Sequence, residues 1–335
     1  MINYIYCNFL KKKNTTSTMH LFEHCYYAKL LKEINQKLPN EGIMFDASTS
    51  PSSVLIEIYF SNEKYEKTIL NIIEEIKFTS NDYDEILKET NKILHEISTM
   101  DLSEEDKILY KSLELISNES IYSLYNSDGF DYLKDNIIDS FNKIIESISI
   151  LLYICGNCTK KGIALSKELN DFDKTAFDIY ENHIIGAVRR EMDNIYNIVL
   201  SMFVSFLYAK TENSIIQEQL IKKFGLYLAY SLDIPLYNDY CIMFLIETNE
   251  KNLERYKRDG FKFSNFTFEF FEKHKKAFAT SMLLLDPQLR EFNKFYVHAS
   301  FVHNDIITID LLMNYIEKIE YSDVKDITER RYLYA

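Results

Sequence analysis

Residues 2–10, INYIYCNFL, are rich in apolar and aromatic side chains with polar ones interleaved, which predicts a strand. The lysines and Thr/Ser residues that follow lead into a helix capped near Ser17 or Thr18. That helix runs to about Leu38, where PNEG breaks it. Next, IMFDASTSPSSVLIEIYF predicts two strands joined by a turn at Ser50–Ser53, with a helix from about Asn62 to Ile76. A further helix, DYDEILKETNKILHEIS, gathers Ile86, Ile93 and Ile97 on one face. A longer helical run, 104–149, passes into a strand at ISILLYICGN.

The second half repeats this order. DNIYNIVLSMFVSFLYA is helical, LYLAYSLDIPLYNDYCIMFLIE gives two strands, and NEKNLERYKR starts another helix. GIMFDAS…VLIEIYFSNEKYEK and GLYLAYS…CIMFLIETNEKNLER share a glycine, two strands and an Asn-Glu-Lys helix start. Gly42 pairs with Gly225, and Asn62 with Asn249. The echo predicts a duplicated α+β unit, each copy an antiparallel sheet packed on helices. The polar segment 161–182 is the expected linker between a first domain, 1–160, and a second, 183–335.

Composition agrees with two cores. A chain of 335 residues, 47% hydrophobic and 27% charged, carries enough apolar surface for both. Only 7 Gly and 4 Pro occur, which favours long helices over a loop-rich all-β protein and disfavours a phosphate-cradling loop. The net charge of −13 opposes phosphate backbones, so no nucleic-acid partner is expected. Five scattered cysteines, Cys7, Cys25, Cys155, Cys158 and Cys241, argue against a disulfide framework. They point to a reducing, cytoplasmic setting. The start, MINYIYCNFLKKK, places its apolar run before its lysines, the reverse of a secretory signal. The most membrane-like stretch, IYNIVLSMFVSFLYA, is shorter than a bilayer requires and contains Asn197, so a buried helix is expected there and no membrane span.

Candidate chemistry concentrates in the first helix. In TSTMHLFEHCYYAKLL, His20, Glu23 and His24 occupy positions i, i+3 and i+4 and point the same way. Two neutral imidazoles at that spacing can share one Zn²⁺. A glutamate one turn from a ligand is placed to act as base towards an attacking water. His-x-x-Glu-His inverts the commoner His-Glu-x-x-His order and is a catalytic signature in its own right. The same residues also suit an ordinary helix whose histidines are satisfied by hydrogen bonds, and the motif by itself leaves both readings open. Downstream, Glu89 and Glu96 are seven apart in ILKETNKILHEIS and share a face over two helical turns.

With those residues the sequence resembles peptidase family M16, the pitrilysin, insulinase and mitochondrial-processing-peptidase group. In that family the inverted motif is followed some seventy residues later by a helix with two glutamates at this spacing. The second of them is the third zinc ligand. The resemblance therefore implies zinc held by His20, His24 and Glu96, with Glu23 as catalytic base and Glu89 supporting a ligand. FDASTS resembles the family's Asn-Ala-x-Thr strand, with Asp46 where asparagine is usual. The resemblance makes Phe45, Asp46, Ala47, Ser48 and Thr49 the edge onto which a peptide substrate adds as an extra strand. LLYICGN and LIKKFGLYLAYS resemble further family segments, so the likeness spans nearly the whole chain.

Departures from the family also carry meaning. The glycines that flank its zinc motif are absent here, and roughly one strand of its usual N-terminus is missing. Its second domain holds substrate with an Arg and a Tyr seven apart. Aligning on LAYS places Lys223 and Tyr230 there, and aligning on the first glycine–leucine places Ile221 and Leu228. No arginine stands in either register, and a lysine's point charge replaces a bidentate guanidinium poorly. At the three zinc-motif positions the second half has Phe203 or Leu207, Phe206 or Lys210, and Leu207 or Thr211. One zinc site with half a clamp implies the catalytic subunit of a heterodimer with a paralogous partner, or a homodimer.

Cys155-Gly-Asn-Cys158 has a metal-type spacing, but no second pair completes a site. The expected function is a zinc metallopeptidase acting on short or unfolded peptides, such as the precursor of a ribosomally made peptide. A non-catalytic peptide-binding or scaffold subunit of the same fold is the alternative.

Overall fold

Strand β1 (Asn3–Leu10) is central to the first sheet. Alternation turns Ile5, Cys7 and Phe9 to one face, where they join an apolar core. The sheet order is β2 (Met44–Thr49), β3 (Ser53–Phe60), β1, β4 (Ser149–Ile154) and β5 (Asn157–Gly162). Every pairing is antiparallel. The computed structural model describes residues 3–10, 16–39, 41–50, 53–99, 103–104, 107–108, 111–112, 115, 136–154, 157–162, 174–191, 194–209, 214–215, 228–236, 239–259, 261–262, 266–284, 307–328 and 331–332.

Helix α1 (Thr16–Lys37) lays Met19, Phe22, Tyr26 and Leu30 on that core, a spacing of three to four residues that makes one continuous stripe. Phe9, Phe22 and Tyr26 meet edge-on or tilted, with ring centroids 4.7–5.4 Å apart. Helices α2 (Glu66–Glu75), α3 (Tyr83–Thr99) and α4 (Ile137–Ile145) complete the layer. The expected single helix 62–76 begins instead with a 3-10 turn, Glu63–Tyr65, because the Asn62 side chain accepts the Lys64 N–H and tightens the first turn. The expected run 104–149 is helical at Ile137–Ile145 and becomes strand from Ser149, and most of its earlier part lies outside the described residues.

One ion pair pins α3 to α1. Asp82, at the entry to α3, accepts the Thr79 N–H at 2.7 Å and Lys29 Nζ of α1 at 2.7 Å. Burial raises the Asp82 carboxyl, but these donors outweigh it and hold the group below its usual range.

Two compact units emerge, one containing β1 to β5 and the other the strands from Lys174 onward. The second unit's main sheet runs β6 (Lys174–Tyr180), β7 (His183–Glu191), β9 (Asp239–Glu247) and β8 (Leu228–Leu236), again antiparallel. β6 lies within 161–182, the segment whose polarity suggested a linker; KTAFDIY is a short edge strand, and only its Phe177 is buried among the described side chains. The Phe177 ring covers Gly186 so closely that a Cβ there would stand 2.3 Å from it.

Helix α5 (Ile195–Ala209) follows β7 and is buried on nearly all sides. Helices α6 (Glu250–Asp259), α7 (Phe268–Leu284), α8 (Ile309–Lys318) and α9 (Tyr321–Thr328) follow, with α7 and α8 packed on α5. β10 (Phe261–Lys262) and β11 (Arg331–Tyr332) form a separate two-stranded ribbon.

The units share a plan. β8-β9-β7 repeats β2-β3-β1, and α5 follows β7 as α1 follows β1. The flanking place is taken by β4 in the first sheet and by β6 in the second. The fold is α+β, as the repeated order of elements predicts. No described helix is long and apolar enough to cross a membrane.

Candidate metal centre

α1 has a second face. Beside the core stripe, His20, Glu23, His24, Tyr27, Ala28 and Leu31 run along the helix, His20 buried and the others half-buried. α3 packs against this part of α1 and offers a stripe of its own, Ile86, Glu89, Ile93 and Glu96, at three- to four-residue spacing. The isoleucines seat the helix while the glutamates meet the histidines.

His20, His24 and Glu96 bring their donor atoms within 4.8 Å of one another. His24 Nε2 lies 3.6 Å from Glu96 Oε2, and the two imidazole rings meet edge to face at 4.9 Å. Two ligands on a tetrahedral Zn²⁺, with bonds of about 2.0–2.1 Å, stand about 3.4 Å apart. The His24–Glu96 separation is close to that value, and no pair needs a closure of more than about 1.4 Å, so the donor set fits zinc.

Glu23 and Glu89 flank this group. Thr49 Oγ1, on the strand β2, donates to Glu23 Oε2 at 2.5 Å. Glu89 places Oε2 3.7 Å from His24 Nδ1, the ring nitrogen turned away from Glu96. Its other oxygen accepts Lys92 Nζ at 2.6 Å. Cys25, next to His24 in sequence, is buried in the core; desolvation and then the Glu89 charge push its thiol well above the usual range, so it stays a neutral thiol.

β2 is the edge of its sheet, hydrogen-bonded to β3 alone. Phe45 and Ala47 pack toward the core, Thr49 reaches Glu23, and Asp46 stands across from Glu57 of β3 in the register. A cavity of about 450 Å³ opens between these elements, lined by Glu23, His24, Tyr27, Asp46, Glu89 and Lys92 among others. Tyr230 lies on β8, the edge of the second sheet, opposite Leu245, and its side chain is outside the described residues. Lys223 and Cys155 also lie outside them, and Cys158 is described only as backbone of β5.

Sequence reasoning passed over Lys92, Tyr27, Ala28 and Leu31. Lys92 could have been found as the i+3 neighbour of Glu89. The other three had no signal apart from the helix phase of His20 and His24.

No protein-family model matches the sequence, and no curated protein matches it. Solved structures do match. A protease from Helicobacter pylori superposes with a TM-score of 0.66 at 13% identity, over 98% of this chain and 90% of that one. An inactive peptidase M16 domain from Pseudomonas fluorescens gives a TM-score of 0.64 at 13% identity, with the same coverages of 98% and 90%. The fold is M16-like. A conserved protein from Enterococcus faecalis adds a TM-score of 0.61 at 11% identity, over 100% of this chain and 92% of that one. At these identities the M16-like fold is what the chains share, and activity has to be argued from the site.

Proposed function

We propose that this chain is a zinc metallopeptidase of the M16 type that cleaves short or unfolded peptides. One observation carries the reading: two histidines of α1 and a glutamate of α3 converge within 4.8 Å, on the helix face that also carries Glu23. Zinc bound there supplies Lewis-acid polarisation of a peptide carbonyl and a water. Glu23 takes the proton of the attacking water and delivers it to the leaving amine. The Thr49 hydroxyl holds one Glu23 oxygen in place for this work. The free edge of β2 binds the peptide backbone as an added strand, so Phe45 to Thr49 set its register beside Glu23.

The reading extends to assembly. Lys223 and Tyr230 make a weaker substrate clamp than an Arg–Tyr pair, so a paralogous M16-like subunit, or a second copy, completes the enzyme. The substrate class is a short or unfolded peptide, such as the precursor of a ribosomally made peptide, processed in the cytoplasm.

The test measures zinc content and peptide cleavage for wild type and Glu23→Gln, each alone and with a paralogous subunit. Zinc retained with cleavage lowered by about 10²–10⁴-fold in the variant supports the role of Glu23. Wild type without zinc, or cleavage indifferent to the substitution, removes the reading. A non-catalytic peptide-binding subunit is the second reading, favoured by the inactive M16 domain among the matching structures. It predicts peptide binding without turnover in every mixture.

A further inference from the structure

Glu89 raises a question that the zinc ligands do not answer. Its side chain is 5% exposed, and a buried carboxylate is costly unless a donor compensates it. The donor is Lys92, one turn along α3, with Nζ 2.6 Å from Oε1. Oε2 instead faces His24 Nδ1 at 3.7 Å. The two oxygens serve different partners, so whatever holds the first sets the direction of the second.

We propose that Lys92 is a positioning residue for the metal centre. By holding Oε1 it keeps the Oε2 charge 3.7 Å from His24 Nδ1, which favours the ring proton on Nδ1 and leaves the Nε2 lone pair for the side of Glu96. Exposed i,i+3 ion pairs contribute little as a rule. This one differs because Lys92 is 66% exposed while Glu89 is buried against a candidate ligand. The hydrogen bond to Glu89 also raises the lysine, so its charge persists through the neutral range. Lys92 lines the same cavity as Glu23 and His24.

The inference rests on the zinc reading, and its test separates the two. Wild type, Lys92→Met and Lys92→Arg are titrated with zinc against a chromophoric chelator. The ring-nitrogen NMR signals of His24 are recorded on the same proteins free of metal. Lys92→Met is expected to weaken zinc binding by about 10- to 100-fold and to mix the two His24 tautomers, while Lys92→Arg restores both toward wild type. Lys92→Met with wild-type affinity and a single unchanged tautomer overturns the proposal and leaves the zinc centre standing. Wild type that binds no zinc overturns the zinc reading instead, and the tautomer signal still decides the role of Lys92. A Glu89→Gln background closes the cycle: there Lys92→Met changes nothing further, and an additional loss overturns the proposal.

Discussion

Helix α1 divides its surface. Met19, Phe22, Tyr26 and Leu30 go to the sheet, while Glu23, His24 and Tyr27 go to a cavity lined also by α3 and β2, with buried His20 beside His24. Its counterpart α5 follows the equivalent strand of the second unit and presents no such second face among its described side chains. Phe203, Val204, Leu207 and Tyr208 are all 0% exposed, and Phe203 meets Phe271 and Phe278 of α7 at 5.7 and 5.4 Å. One plan of strands thus carries a two-faced helix in one copy and a core helix in the other. Polar chemistry replaces burial at a few positions of a frame that stands without it, which is how a site is grafted on a fold.

This contrast can be tested from both sides. Truncating α5 strikes the fold: Phe203→Ala is expected to cost about 3–5 kcal/mol in denaturant unfolding, through lost burial and the cavity left behind. Its zinc content should match wild type in whatever fraction remains folded, and loss of zinc from that folded fraction would break the division of labour. Altering the strand that contacts the second face of α1 strikes the site: Thr49→Val removes the β2 hydroxyl that holds Glu23 and is expected to lower kcat about tenfold, with zinc content and unfolding midpoint near wild type. An unfolding midpoint that falls with activity would assign Thr49 to the fold instead.

Asp82→Asn tests the pin between the two helices that build the centre. It is expected to cost about 1 kcal/mol at neutral pH. Because the folded carboxyl is held below its ordinary 3.8, its contribution is complete above that value and disappears as pH falls through the lowered folded value. The gap between wild type and variant should therefore close in strong acid and stay constant upward from mild acid, read as unfolding free energy against pH.

Much of this was legible in the chain. His20, Glu23 and His24 lie within five residues, so helix geometry alone groups them. Glu89 and Glu96 share a face for the same reason, but nothing local says that this face meets α1. The family likeness supplied that contact, and the packing of α3 on α1 accounts for it. Lys92 stayed hidden because its role depends on the burial of Glu89, which no spacing reveals. Within segment 161–182, KTAFDIY is polar enough to read as a linker, and as an edge strand it buries only Phe177 among its described side chains. The helix start at 62 shortened because one asparagine side chain competes with the backbone.

The central claim of the proposed function is that His20, His24 and Glu96 of the first unit bind zinc. It is tested most directly by zinc stoichiometry on purified protein, wild type beside a His20→Ala, His24→Ala double variant. The account predicts one zinc per chain in wild type and none in the variant, with circular dichroism showing both folded. Wild type without zinc, or a folded variant that still holds one per chain, would contradict it.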